Sequence, residues 1–158
     1  MGGSANSYLE RAIELALLNV RYGRGGPFAA LVVRNGVVLA EGMNVVTSAN
    51  DPTAHAEVVA IRLACQALGD FQLSGCEIYS SCEPCPMCLG AIYWARPARV
   101  YFAATAEDAA AAGFDDSAIY RQISLPHGAR AIPMIAMPNP RSTAPFDEWR
   151  ARTDKKPY

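Results

Sequence analysis

HAE at residues 55–57 and SCEPCPMC at residues 81–88 are the stretches that decide the fold of this chain. The sequence has two histidines and five cysteines, yet one histidine and three cysteines fall within these two short segments. A packed core needs no such grouping, whereas a borderline-soft metal ion needs this kind of donor set. Taken singly, a buried cysteine behaves as a small hydrophobe and a histidine is commonly structural. The joint spacing is what points to a metal site.

Outward from the first segment, Thr53 to Leu68 has helical spacing, with Thr53 as N-cap and an apolar stripe through Val58, Ile61 and Ala64 or Cys65. HAE then occupies the first turn. Ahead of the second segment, CEIYSS (76–81) reads as a strand, and Pro84 suits the first turn of a helix through Met87, Ala91 and Trp94. Upstream, Ser7 and Glu10 form a capping box for a helix along Leu9, Ile13, Ala16, Leu17 and Val20 that stops at Gly23. PFAALVVRNGVVLAEG (27–42) is a hairpin, because Asn35-Gly36 suits a type I′ turn with two positive φ angles. Downstream come a strand at 99–104, helices at 107–112 and 116–122, and a last strand at 132–137. Alternating strands and helices imply an α/β fold with parallel pairing and helices on both sheet faces. No repeat, low-complexity segment or linker rich in Gly, Ser or Pro appears before the tail at 138–158, so residues 1–158 are expected to form one domain.

The composition is that of a globular protein: 51% of the 158 residues are hydrophobic and 18% charged. Fourteen Lys and Arg against fifteen Asp and Glu give a net charge of −1, which supplies no field to attract a polyanion. A nucleic-acid partner is therefore not expected. No run approaches the roughly 18–20 apolar residues of a membrane span, and the first residues lack the pattern of a signal peptide. A cytoplasmic protein is expected, with its five cysteines as thiols or metal ligands.

Cys85 and Cys88, three residues apart at a helix start, can face one ion while the helix N-terminus favours their thiolates. His55 supplies a third ligand. Two thiolates and an imidazole balance the charge of Zn²⁺ and leave a fourth position for water, whose pKa falls toward neutrality. Glu57, two residues from His55, can act there as general base and then as acid. Two alternatives stay open at this level. Cys82 could close the site as a fourth, structural ligand, although its position upstream of the helix start argues against that. The domain would then be a zinc-stabilised binding module and no enzyme.

HAE followed by PCPMC, with strand, helix and strand around them, resembles the zinc-dependent nucleobase deaminases of the cytidine-deaminase-like superfamily. GGPFAA (25–30), EGMN (41–44), NDPTAHAEV (50–58), CEPCPMCLGAIYWARP (82–97), AGFDDS (112–117) and KKPY (155–158) are similar to bacterial guanine deaminases, and the likeness covers almost the whole chain. Transfer RNA adenosine deaminases share HAE and PCxxC, but they lack AGFDDS and usually carry a more basic surface. The resemblance implies a three-layer α/β/α fold with a five-stranded mixed sheet. It implies that His55, Cys85 and Cys88 hold zinc and that Glu57 shuttles the proton. It further implies that Phe28 and Trp94 sandwich a purine, that Asn44 and Ala56 belong to the binding set, and that Asp116 binds guanine or helps protonate the departing amino group. Read without it, Phe28 and Trp94 are as well explained as core, Asn44 as a turn residue and Asp116 as a helix cap, while Asp115 competes with Asp116.

The segment from 138 onward is polar and Pro-containing, with a short helix expected at 146–152, and would fray if alone. Phe146, Trp149 and Tyr158 are large apolar groups to leave in water, so docking is equally consistent. The resemblance implies that residues 138–158 cross to a second copy in a homodimer and that Tyr158 reaches its substrate. The activity implied is hydrolytic deamination of guanine, with guanosine, cytosine, a triazine or the wobble adenosine of transfer RNA as alternative substrates.

Overall fold

Strand β1 (Ala29–Arg34) is buried on both sides, and its alternation sets out the layers. Ala30 and Val32 face one core, while Ala29, Leu31 and Val33 face another. In the computed structural model, which describes residues 4–158, β1 pairs antiparallel with β2 (Val37–Met43) and with β3 (Cys76–Cys82). β3 in turn pairs parallel with β4 (Arg99–Ala104), giving the order β2-β1-β3-β4. Asn35 and Gly36 both take positive φ (51° and 77°), as a type I′ hairpin turn requires.

Helix α1 (Ala5–Arg21) covers one sheet face through Tyr8, Ala12, Leu15 and Ala16. The short α2 (Val46–Ala49) follows β2, and α3 (Ala56–Leu68) covers the other face through Ala56, Ala60 and Ala64. α4 (Pro86–Ala95) adds Ile92 and Ala95 to that second core, and α5 (Ala106–Ala111) follows β4. α3 lies unusually close to the sheet. A Cβ added at Gly42 on β2 would stand 2.3 Å from the Ala56 carbonyl oxygen and 2.5 Å from the Ala60 nitrogen. Glycine and alanine thus let backbone meet backbone, and the residues at the start of α3 are held rigidly.

These elements form one compact unit up to Asp116, and residues 117–158 form a second. The second contains α6 (Ser117–Ile123), a 3₁₀ turn (His127–Ala129) and α7 (Ala144–Ala151). None of its residues is buried.

Several expectations need correction. The sheet has four strands among the described residues, because 132–137 forms no strand. Pro133 and Pro138 remove ladder donors within and beside that run, which defeats pairing. The first helix is capped by Ser4, whose hydroxyl accepts from the Ser7 N–H at 3.3 Å, so there is no Ser7 capping box. Its buried face is the Tyr8, Ala12, Leu15, Asn19 row; Ile13, Leu17 and Val20 are exposed on the described chain. The N-cap of α3 is His55, two residues later than expected, since Thr53 is drawn into a turn by the Asp51 carboxylate, which accepts from its N–H and its hydroxyl at 2.8 and 2.7 Å. Pro86, not Pro84, occupies the first turn of α4. Among the described residues, no helix is long and apolar enough to cross a membrane.

Candidate active site

Two helix N-termini meet over the end of β3. His55 is the N-cap of α3 and Cys85 the N-cap of α4, with Cys88 one turn further in. His55 Nδ1 lies 3.5 Å from Cys85 Sγ and 3.5 Å from Cys88 Sγ, and the three donor atoms fall within 4.8 Å of one another. A tetrahedral zinc with bonds of about 2.3 Å to sulfur and about 2.05 Å to nitrogen separates such ligands by about 3.6 Å. The donor set therefore fits zinc in type and in spacing. Cys82 is no part of it: as the last residue of β3, it directs its thiol to the Thr105 carbonyl at 3.5 Å.

Glu57, in the first turn of α3, is buried beside the trio. Its Oε2 accepts from the Cys88 thiol at 3.4 Å and its Oε1 from the Ser80 hydroxyl at 3.0 Å. Burial pushes its carboxyl above the usual carboxylate range, the direction that suits a group required to take up and return a proton. The neighbouring Cys88 and His55 lower Cys85 to about 4, and Cys85 together with burial raises Cys88. His55 is raised chiefly by its contact with Cys85. A divalent cation held by His55, Cys85 and Cys88 would draw all three toward their deprotonated forms.

Phe28 and Asn44 sit together on the loops at the ends of β1 and β2. The Asn44 N–H donates to the Phe28 carbonyl at 3.0 Å, and the Phe28 ring meets Phe114 edge-on at 5.0 Å between centroids. The Asn44 Oδ1 accepts from the Gly26 and Val46 N–H groups at 3.3 Å each. Ala56 is fully buried at the first position of α3, where a backbone N–H has no acceptor within the helix. Asp116 is raised by burial first and then by the charge of Cys85, which ties it electrostatically to the trio. Trp94, on α4, is 63% exposed and Tyr158 is 71% exposed.

Residues 4–104 match the family model described as "Cytidine and deoxycytidylate deaminase zinc-binding region". The chain belongs to this deaminase family. Over 96% of its length it is 55% identical to the guanine deaminase of Bacillus subtilis strain 168, of which it covers 97%. The crystal structure of guanine deaminase from Bacillus subtilis superposes with a TM-score of 0.97 at 53% identity, over 99% of each chain. A tRNA-specific adenosine deaminase of Agrobacterium fabrum is 43% identical, but over 58% of this chain and 62% of its own. The likeness to that deaminase is confined to part of the chain. The likeness to the guanine deaminase runs through AGFDDS and the C-terminal unit.

Three residues that touch the candidate site or its loops escape a reading of the sequence. Ser80 could have been found, since it follows Ile78 by two positions on β3 and so points to the same face as α3. Phe114 lies within AGFDDS, but nothing local marks it as a partner of Phe28. Asn19 reads as an ordinary helix residue until the buried face of α1 is known.

Proposed function

We propose that this chain deaminates guanine hydrolytically, yielding xanthine and ammonia. One observation carries the reading: a buried carboxylate, Glu57, adjoins a His-Cys-Cys trio spaced for zinc, in a chain similar to a guanine deaminase from end to end. Held by His55, Cys85 and Cys88, zinc supplies Lewis acidity that brings water ionisation near neutral pH. Glu57 accepts the proton from the water that attacks C2 and delivers it to the adjoining ring nitrogen. It then takes the second proton of that water from the new C2 hydroxyl and passes it to the amino group, which leaves as ammonia as the C2 carbonyl forms, so guanine and water are converted to xanthine and ammonia without a redox partner. Ser80 holds Oε1 and thereby directs Oε2 toward the reaction.

The base is held by Phe28 stacking, by the Asn44 carboxamide and by the Ala56 N–H, with Asp116 beside the departing amino group. Asn44 uses its oxygen internally, so its NH₂ end is the one offered to acceptors on a base. Trp94 and Tyr158 complete the pocket in a homodimer in which residues 138–158 cross to the second copy. Support for the exchange comes from the second unit itself, whose Ile132, Ile135, Met137, Phe146 and Tyr158 are exposed. Lys155 donates to the Arg150 and Arg152 carbonyls at 2.7 and 3.0 Å, closing the end of α7 and fixing the backbone just ahead of Tyr158. The enzyme works in the cytoplasm on free base.

Ammonia release by zinc-loaded protein from guanine, guanosine, adenine, cytosine and cytidine in parallel tests the reading. Turnover of guanine is expected and of the nucleosides is not, because a ribose needs room that a closed tail denies. Turnover of guanosine in preference to guanine would overturn the closed pocket, and turnover of none would overturn the enzyme.

A further inference from the structure

Asn19 is a fully buried amide on the last turn of α1 with no place in the chemistry above. Its Nδ2 donates to the Gly26 carbonyl at 2.8 Å and to the Asn44 carbonyl at 2.7 Å. Its Oδ1 has no hydrogen-bond partner among the described residues. Reversing the amide would set that oxygen against two carbonyl oxygens, so the orientation is dictated by chemistry. A side chain kept only to fill the core would be better replaced by an apolar one of the same shape, since an unsatisfied buried acceptor is a cost.

One carbonyl is that of Asn44 itself and the other that of Gly26, two residues ahead of Phe28. Gly26 donates its N–H to Asn44 Oδ1 at 3.3 Å, and its carbonyl also accepts from the Phe28 N–H at 2.8 Å. The packing is tight: a Cβ at Gly25 would lie 2.0 Å from the Asn44 carbonyl oxygen, and one at Gly26 would lie 3.3 Å from the Phe28 ring. Asn19, Gly26 and Asn44 therefore close a ring of hydrogen bonds in which Asn19 holds both loops with one NH₂ group. We propose that Asn19 is a positioning residue for base recognition: it fixes the Gly25–Gly26 loop against Asn44, so that the Asn44 NH₂ and the Phe28 ring face the substrate in one arrangement. The proposal rests on the assignment of Asn44 and Phe28 to guanine binding.

Asn19→Leu, which keeps the shape and removes both donors, is expected to raise KM for guanine and lower kcat/KM on the order of tenfold, with kcat and zinc content little changed. Asn19→Ser, which keeps a single donor, should fall between it and the wild type and serves if the leucine variant folds poorly. The deciding measurement is a double-mutant cycle with Asn44→Ala. If Asn19 acts through Asn44, the second substitution adds little to kcat/KM once the first is made; losses that multiply independently, or an equal fall in kcat and kcat/KM, would overturn the proposal. Amide hydrogen exchange at Gly26, Phe28 and Val46 in the zinc-loaded protein gives a readout without turnover. Faster exchange there in Asn19→Leu, with α3 unaffected, is expected, and unchanged exchange overturns the proposal. A wild type inactive on guanine would instead overturn the substrate assignment, leaving the loop tie to be decided by exchange.

Discussion

The two units of this chain solve opposite problems. Up to Asp116, both sheet faces are covered and two separate cores are closed, so the groups at the start of α3 and α4 are held by backbone packing. From Ser117 to Tyr158 no residue is buried, and large apolar side chains such as Ile135 and Met137 are more than 80% exposed. A metal trio and the carboxylate beside it need rigidity, and they are found where packing holds the backbone. A segment that opens and closes over a substrate, as proposed above for residues 138–158, needs a weaker hold. In the function proposed above, the first unit carries the chemistry and the second the closure.

The strongest way to break that division is to attack the metal ligands. Cys88→Ser should lose zinc and reduce ammonia release from guanine by about 10³-fold or more, measured together with metal content. Chelation of the wild type should do the same and be reversed by zinc. A change in the second unit should look different. Deleting residues 138–158 should leave one zinc per chain while lowering kcat/KM by roughly 10–100-fold and shifting the assembly from dimer to monomer in sedimentation. Equal zinc loss in both variants would abolish the division of labour.

Smaller effects sharpen the account of rigidity. Gly42→Ala places a methyl against the Ala56 carbonyl and should destabilise the fold by about 1–3 kcal/mol in denaturant titration, with weaker zinc retention because the start of α3 must move. The smallest concerns α5, where the Asp108 carboxylate accepts from the Thr105 N–H and hydroxyl at 2.8 Å each. The backbone hydrogen bond chiefly holds this carboxyl below its ordinary value of 3.8, so its contribution is present above that pH and lost as pH falls through the lowered value. Asp108→Asn should be less stable than the wild type near neutrality, and the two should converge in acid below about pH 3.8.

Where local chemistry dictates structure, the sequence was sufficient. Asn35-Gly36 marked the hairpin, 99–104 the fourth strand, and HAE with PCxxC the metal centre. It failed where a choice depended on tertiary packing. α1 has apolar residues on two sides, and only the sheet selects Tyr8, Ala12 and Leu15 over Ile13, Leu17 and Val20. At 132–137 strand-forming side chains outvoted two prolines in the reading, and backbone hydrogen bonding reverses that vote. Asn19 was illegible because its significance lies in carbonyls of Gly26 and Asn44, which no side-chain pattern displays.

Glu57→Gln tests the central claim most directly, since it replaces an oxygen by an NH₂ at constant shape and leaves all three metal donors in place. Metal content and guanine turnover should be measured on the same preparation. The account expects one zinc per chain with ammonia release reduced by about 10³-fold or more. A zinc-replete variant with ordinary turnover would contradict it and take the proton shuttle away from Glu57.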